Sequence, residues 1–344
     1  MATLVNTPSG LMWTGNIPDL KVSVADHVRL AVVVDDETVL MVMLYAYDGY
    51  ANLVELTDIV EQHMLDTEAF LSTVKIYEVD DDDDTQRTLL CQFDAIYSLV
   101  ALSNSCAEFC RQNFLSLAKI KRLEDGFNET LCYYDPDNAS STLKMQVSYL
   151  DDDNMRVAMV DDASSLVNDG VISFSLADVM SLASVDNVSM VTLTLGARQM
   201  LYFTSPIAST LAFSFRNNFN AIETLLINCI VQRNQEGERT LSKVQRKSVL
   251  SAIYHEVEFE CETAPLARDE AILVEQMCES NNVMILPSGE RVLIAKRTSE
   301  IGNERGTMPI VKFTYKYLDA RQHDTVLHRA DRGIFTSQFD QTYD

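Results

Sequence analysis

The stretch from Leu211 to Leu225 reads Leu-Ala-Phe-Ser-Phe-Arg-Asn-Asn-Phe-Asn-Ala-Ile-Glu-Thr-Leu. It opens with the alternation of a β-strand, because every second residue from Leu211 to Phe215 is large and apolar. Arg216-Asn217-Asn218 then interrupts the alternation with residues that favour turns, and a second apolar run extends from Phe219 to Ile230. The pattern predicts a strand that turns a corner between two sheets.

The same stretch leads to two expectations about stability. Phe213, Phe215 and Phe219 are predicted to be core, and residues 216–218 to shape the corner. Phe215→Ala should unfold or badly destabilise the C-terminal half, since deleting a buried Phe side chain costs roughly 3–5 kcal/mol. Asn217→Ala should cost less, unless Asn217 has a positive φ angle. A binding module would instead place these aromatic residues on the surface as a ligand platform.

Alternating apolar and polar residues recur along most of the chain. They predict a mainly β fold, built of β-sandwich-like modules with a few short helices. The predicted helices cover 56–65 and 268–279, and a third begins at 176–180. Residues 119–125 and 232–247 are mixed in charge and are predicted to be exposed. The predicted strands are 28–34, 39–47, 74–77, 89–93, 131–134, 143–149, 155–159, 191–195, 200–203, 255–261, 283–286, 292–295 and 311–317.

One segment of the chain recurs in the same context. Leu56-Thr57-Asp58-Ile59-Val60 aligns with Leu176-Ala177-Asp178-Val179-Met180, 120 residues further on (from 56 to 176). A hairpin and an Asp-Gly turn precede each copy, and another hairpin follows it. We therefore predict two tandem related modules: an N-terminal β-rich module at 1–142, and a second, longer one at 143–320. Residues 321–344 are predicted to be a polar C-terminal tail.

The charge balance narrows the range of partners. The formal net charge is -24, whereas nucleic acids and anionic membranes bind surfaces rich in Lys and Arg. We therefore expect protein partners, through self-assembly or other subunits, and neither nucleic acid nor membrane. No run approaches the ~18 apolar residues of a membrane span. The first residues lack the pattern of a secretory signal, which predicts synthesis in the cytoplasm.

No metal site is predicted. Asp80 to Asp84 is a run of five aspartates that lacks the spacing and the glycine of a calcium loop, so it is interpreted as a solvated hairpin tip. The seven cysteines are odd in number and irregularly spaced, which is typical of reduced, buried thiols. Cys106 and Cys110 lie four apart on a predicted helix and remain the alternative metal pair.

The search for chemistry identifies no catalytic residue and no cofactor-binding residue. The chain has no Gly-x-Ser-x-Gly, phosphate loop, Gly-x-Gly-x-x-Gly or His-Glu-x-x-His motif. Its five histidines are scattered along the sequence, and no two of the 51 acidic residues stand out as a catalytic pair. The predicted function is therefore non-enzymatic.

Three segments carry a resemblance to known proteins: Thr14-Gly15-Asn16-Ile17-Pro18-Asp19-Leu20, the stretch from Phe213 to Thr224, and Val311-Lys312-Phe313-Thr314-Tyr315. In these segments the chain resembles uncharacterised β-rich proteins encoded by phages and prophages of gut Bacteroidales. By further analogy that group is similar to tail-tip or baseplate components, such as distal tail proteins. The resemblance implies β-sandwich modules and assembly into rings, and it implies no catalytic residues.

These observations leave three hypotheses. The first is a structural assembly protein of a phage tail or baseplate, which would be made in the cytoplasm and become part of the virion. The second is a carbohydrate- or protein-binding β-sandwich module, which would need exposed aromatic platforms. The third, an enzyme, would need a pocket with clustered histidines and carboxylates.

Overall fold

The computed structural model describes residues 2–137, 141–152, 154–205, 207–244, 247–299 and 308–318, with the backbone alone at 235–244, 247–256, 296 and 299. The fold is mainly β, as predicted, and this part of the chain contains four short α-helices. None of those helices combines the length and the apolar character needed to cross a membrane. Two compact units are formed: unit 1 from 1–206 and 216–224, and unit 2 from 207–215 and 225–344.

The first half of unit 1 is called the first module, from β1 to β8. Its strands form a three-stranded sheet in the order β1-β3-β6 and a five-stranded sheet in the order β5-β4-β7-β8-β2. A core between these sheets includes Leu20, Leu30, Val60 and Ile76. The elements are β1 (Thr3–Leu4), β2 (Gly10–Trp13), β3 (Leu20–Ser23), β4 (His27–Val34), β5 (Glu37–Tyr45), β6 (Tyr50–Leu53), α1 (Leu56–Asp66), β7 (Leu71–Val79) and β8 (Arg87–Ile96).

The second module, from β9 to β16, follows a short helix, α2 (Cys106–Gln112). It too has a five-stranded sheet, in the order β12-β11-β15-β16-β9, and a three-stranded sheet, in the order β10-β14-β13. A separate core includes Met145, Phe174, Val191 and Tyr202. The elements are β9 (Ile120–Leu123), β10 (Asn128–Cys132), β11 (Leu143–Asp151), β12 (Asn154–Val160), β13 (Val167–Asn168), β14 (Val171–Ser175), α3 (Leu176–Ala183), β15 (Val188–Leu195) and β16 (Arg198–Thr204).

The two five-stranded sheets have the same connectivity. In each sheet the first hairpin supplies the edge strand and the strand beside it, β5 and β4 or β12 and β11. The second hairpin adds the next two strands, β7 and β8 or β15 and β16. A strand from earlier in the chain, β2 or β9, then pairs in parallel with the last of these. In each module the helix leads into the second hairpin. The strand order is thus identical in β5-β4-β7-β8-β2 and β12-β11-β15-β16-β9.

Local sequence signals explain where these elements turn and begin. Asp48 and Gly49 both have positive φ angles, as a two-residue hairpin turn requires, and so do Asp169 and Gly170. Ser175 begins α3: its hydroxyl accepts the backbone N–H of Asp178, and the Asp178 carboxylate accepts the backbone N–H of Ser175. These caps and turns place each helix between two strands.

Unit 2 contains one seven-stranded sheet in the order β18-β17-β21-β22-β23-β20-β19. Phe213, Phe259, Phe313 and Tyr315 form its aromatic core, with ring centroids 5.0–6.2 Å apart in the contacting pairs. The elements are β17 (Leu211–Arg216), β18 (Ile222–Ile227), β19 (Cys229–Val244), β20 (Lys247–Thr263), α4 (Arg268–Glu279), β21 (Val283–Ile285), β22 (Glu290–Ser299) and β23 (Val311–Tyr317).

Two predictions need correction here. The corner at residues 216–218 does not join two sheets, because β17 and β18 are neighbours in one sheet and the polar residues connect them. The predicted excursion at 232–247 is a strand as far as Val244, because β19 pairs with β20 from Cys229 to Val244 with one register shift after Thr240. The two compact units divide after residue 206, and unit 1 contains both modules. The predicted tail at 321–344 lies outside the described residues.

Candidate functional site

A buried polar network lies in unit 1 beside the second module. The ammonium of Lys121, on β9, pairs with Glu129 on β10, and it lies 2.8 Å from the carboxylate of Glu223. Tyr202 on β16 donates its hydroxyl to Glu129. The side chain of Lys121 is only 1% exposed. Residues 119–125 were predicted to be exposed, so this prediction was wrong at Lys121, whose ion pairs make its burial possible.

Burial and charge act against each other within the network. Burial raises the pKa of Glu129 to about 7, although Lys121 opposes that shift. Burial alone would lower the pKa of Lys121, but the carboxylates of Glu129 and Glu223 outweigh it and hold that pKa above its ordinary value. Two carboxylates thus share one cation, and a proton on Glu129 would balance the charge.

Asn217 extends the network and uses both ends of its amide. Its side-chain N–H₂ donates to the backbone carbonyl of Leu115 and to the carboxylate of Glu223, both at 2.7 Å. Its side-chain oxygen accepts the backbone N–H groups of Phe219, at 2.9 Å, and Ala221, at 3.2 Å. Asn217→Ala was predicted to cost less than Phe215→Ala, and it would leave several buried groups unpaired, at about 1–3 kcal/mol each.

The residues Arg216–Thr224, called here the inserted segment, also bind the end of α1. The guanidinium of Arg216 donates to the backbone carbonyl of Glu68, at 3.0 Å, and to its carboxylate, at 2.6 Å. The side-chain amide of Asn220 donates to the backbone carbonyls of Met64 and Ala69, at 3.0 and 2.8 Å. The inserted segment therefore makes polar contacts with the first module as well as the second.

Phe219 completes the inserted segment with apolar contacts. Its ring centroid lies 5.7 Å from that of Trp13 and 5.3 Å from that of Phe109. Phe213, Phe215 and Phe219 are all buried, which confirms the prediction that they are core. The buried network is closed to solvent, since Lys121, Glu129 and Glu223 are at most 2% exposed, so a substrate could reach it only if the fold opened. We interpret the network and the inserted segment as structural.

An exposed apolar feature apart from these contacts is the outer face of the second module's five-stranded sheet. On its edge strand β12, the side chains of Met155, Val157 and Met159 are 61%, 54% and 59% exposed. They lie on one face because they are two residues apart. The other apolar residues that the register places on this face are Leu150, Met190, Leu201, Phe203 and Ile120.

This outer face carries no acidic residue. Its polar members are neutral or basic, although the chain has 51 acidic residues and only 27 basic ones. One of the basic members is Arg122, which lies over the ring of Phe203 with its guanidinium carbon 5.8 Å from the ring centroid. The polar members are Lys144, Gln146, Ser148, Thr192, Thr194, Gln199 and Arg122. We call it the acid-free face.

The edge of this sheet is also open. β12 pairs with β11 on one side, and no other described strand pairs with its second side. It has seven residues, contains no proline or lysine, and has no bulge in its register with β11, although it carries Arg156 and lies against α3. Backbone N–H and C=O groups on the second side of an edge strand can pair with another strand. Here the acid-free face and an open edge coincide.

The aspartate run and the cysteines, which the sequence singled out, have defined positions in the structure. Asp80–Asp84 lies at the tip between β7 and β8, as predicted. Two of its carboxylates pair with side chains of β4: Asp84 with Arg29, at 2.6 Å, and Asp81 with His27, at 2.8 Å. Five of the seven cysteines are buried, and all are free thiols. Within the described residues, no three His, Cys, Asp or Glu side chains are grouped as a metal site requires.

Exposed aromatic residues bear on the binding-module hypothesis. Trp13 is 2% exposed, so it offers no platform. Tyr45 and Tyr47, at the end of β5, are 76% and 88% exposed. They are the aromatic residues that a ligand could reach most easily among those described here.

Comparison with known proteins assigns no family. No protein-family model matches the chain, and no curated protein sequence matches it either. What the chain can do therefore follows from its own residues. An acid-free apolar face beside an open strand edge is suited to binding protein. Sequence analysis missed this face, because the strand order decides which residues of the five strands share it.

Proposed function

We propose that this chain is a non-enzymatic structural protein that works by assembly with other protein subunits, as a component of a phage tail or baseplate. The acid-free face next to the open edge of β12 is the observation that supports assembly most. The phage setting comes from the sequence resemblance alone. Contacts of this kind add a neighbouring strand by main-chain hydrogen bonds and bury apolar side chains, which needs no catalytic group.

We also infer that the two modules of unit 1 are tandem copies of one unit. The shared strand order and the helix before each second hairpin support this inference. A duplicated module gives one subunit two similar sheets, which suits a protein that repeats its contacts around a ring. The copies differ at their edge strands, because β12 pairs with β11 without a bulge whereas the register of β5 with β4 contains an irregularity.

A carbohydrate- or protein-binding module is the second candidate. The exposed Tyr45 and Tyr47 favour it, because aromatic rings at the surface can stack on sugar rings or pack against a peptide. This candidate predicts a monomer that keeps its binding activity when the acid-free face is altered. The proposed assembly function predicts the reverse.

The assembly proposal is tested by placing a charge in the centre of the acid-free face. Val157→Lys should abolish self-association, because burying an unpaired ammonium in an apolar contact is costly. Light scattering after size-exclusion chromatography should give multiples of 38.7 kDa for the wild-type chain and 38.7 kDa for the variant.

Val54→Lys is the matched control. Val54 lies outside the acid-free face and is 53% exposed, almost the same as Val157 at 54%. The same substitution there adds the same charge and should leave the oligomer intact. A wild-type chain that stays monomeric at all accessible concentrations, or an oligomer that Val157→Lys does not disturb, would refute the role of this face.

A further inference from the structure

Two carboxyl groups of the buried network meet at one amine. Nζ of Lys121 pairs with the carboxylate of Glu129 and lies 2.8 Å from Oε1 of Glu223. The three side chains are at most 2% exposed, and they come from β9, β10 and the inserted segment. An amine that is held beside a carboxyl group, with water excluded, is arranged as the reactants of an amide bond must be.

The carboxyl group of Glu223 has a hydrogen-bond donor on each oxygen. Asn217 donates its side-chain amide to Oε2 at 2.7 Å, and Ser116 donates its hydroxyl to Oε1 at 3.3 Å. The same amide of Asn217 donates to the backbone carbonyl of Leu115, which fixes its position. Fixed donors of this kind stabilise the charge that develops on a carboxyl oxygen when a nucleophile attacks the carbon.

Glu129 is placed to carry protons between the reacting groups. Its carboxylate contacts the ammonium of Lys121 directly, and it accepts the hydroxyl of Tyr202 at 3.4 Å. Burial raises the pKa of Glu129 to about 7. Its carboxyl group therefore gains and loses a proton readily near neutral pH, as a general acid and base must.

We propose that Lys121 and Glu223 join in an intramolecular amide bond after the chain folds. Nζ of Lys121 forms a bond to Cδ of Glu223, and the bond from Cδ to Oε1 breaks. Two of the three ammonium protons move to Oε1, one of them through Glu129, and Oε1 leaves as water. Oε2 becomes the amide carbonyl oxygen and keeps its hydrogen bond from Asn217. The charges balance, because an ammonium and a carboxylate become one neutral amide and nothing is oxidised or reduced.

Burial favours the product and also limits the rate. A buried ion pair carries the desolvation cost of two charges, and a neutral amide removes that cost. The closed site also keeps out the water that hydrolysis of the amide would need. The two carboxylates hold the pKa of Lys121 above its ordinary value, so the free amine is scarce. The bond should therefore form slowly, from a chain that is already folded and ion-paired.

The bond joins parts of the chain that are far apart in sequence. It closes a loop of 102 positions (from 121 to 223), whereas a bond from Lys121 to Glu129 would close one of only 8 (from 121 to 129). A cross-link that closes the longer loop removes more conformational entropy from the unfolded chain. It ties the inserted segment covalently to β9, and it does not depend on the proposed assembly function.

Mass spectrometry of the full chain tests the proposal. During incubation of the folded protein near neutral pH, a growing fraction of the molecules should become lighter by the mass of one water. Tryptic digestion should then yield residues 120–122 joined to residues 217–233, because the modified Lys121 is not cleaved. A bond to Glu129 would instead join residues 120–122 to residues 123–144.

Two variants and one internal reference control the experiment. Lys121→Arg keeps the positive charge but removes the amine, so its mass should stay at the value of its sequence. Glu129→Gln removes the proton carrier and should slow the loss of water at least about tenfold. Lys75 lies 2.7 Å from Asp36, whose side chain is 85% exposed, and this wet pair should stay unlinked in the same digest.

The wild-type chain alone decides the outcome if a variant fails to fold. In urea it should keep its full mass, because the three side chains no longer meet, and the fluorescence of Trp13 reports which samples are folded. A folded wild-type chain that keeps its full mass throughout would overturn the proposal. So would a bond to Glu129, or a loss of water that persists in Lys121→Arg.

Discussion

Lys121→Met is expected to destabilise unit 1 by about 3–5 kcal/mol at pH 8, since removing one partner of a buried ion pair leaves a charge uncompensated. The methionine fills a similar volume, so the effect reports charge more than packing. Lys121 is the cation that Glu129 and Glu223 share, and all three side chains are at most 2% exposed. Urea denaturation followed by the fluorescence of Trp13, the chain's one tryptophan, measures the loss.

The effect should depend on pH in a defined direction. Burial raises the pKa of Glu129 from 4.5 to about 7, so the folded protein binds this proton more tightly than the unfolded chain. In the wild type, the stabilisation from that proton is complete below pH 4.5 and is lost as the pH rises to about 7. Protonation at pH 5 would also neutralise the orphaned carboxylate of Glu129 in Lys121→Met, so the variant should lose less stability there than at pH 8.

Lys144→Met provides the comparison for this experiment. Lys144 lies on β11 of the same sheet but is exposed, so its loss should change stability by less than about 0.5 kcal/mol. Equal effects at Lys121 and Lys144, or a Lys121→Met effect that grows as the pH falls, would show that the buried network does not contribute as described.

Phe219→Ala should cost about 3–5 kcal/mol, because it leaves a cavity among the rings of Trp13 and Phe109. The cost should appear in unit 1, where the inserted segment joins elements of both modules. Trp13 fluorescence should also change in the folded state, because its neighbouring ring is removed. Thermal and urea denaturation, each followed at this tryptophan, measure the effect.

Ile222→Ala is the control within the same segment. Ile222 is 38% exposed, so its truncation should cost less than about 1 kcal/mol. If Phe219→Ala were as mild as Ile222→Ala, the inserted segment would not hold unit 1 together, and the polar contacts of Arg216 and Asn220 would have to be weak as well.

Local patterns in the sequence predicted most of the fold. The alternation in 143–149 and 311–317 gave strands, since side chains of a strand point to opposite faces. The Asp-Gly pairs at 48–49 and 169–170 gave turns, because a two-residue hairpin loop needs positive φ angles. Helix α4 was predicted at its observed bounds from the spacing of Ile272, Leu273 and Met277.

Features that depend on distant partners could not be predicted in this way. Lys121 lies in a segment of mixed charge, and its burial depends on Glu223, which is 102 positions further along the chain (from 121 to 223). Asn217 looked like a turn residue until Leu115 and Glu223 were seen to satisfy its amide. The acid-free face likewise needs the strand order, since its residues come from five separate strands.

The claim that the acid-free face and the edge of β12 form the assembly surface is tested most directly by hydrogen exchange. Backbone amides of Asn154–Val160 should exchange more slowly at a concentration where the chain associates than at one where it is monomeric, because a neighbouring subunit covers the edge. Amides of β5, the edge strand of the first module, serve as the internal reference. Association that leaves exchange in Asn154–Val160 unchanged, while it slows exchange elsewhere, would contradict the account.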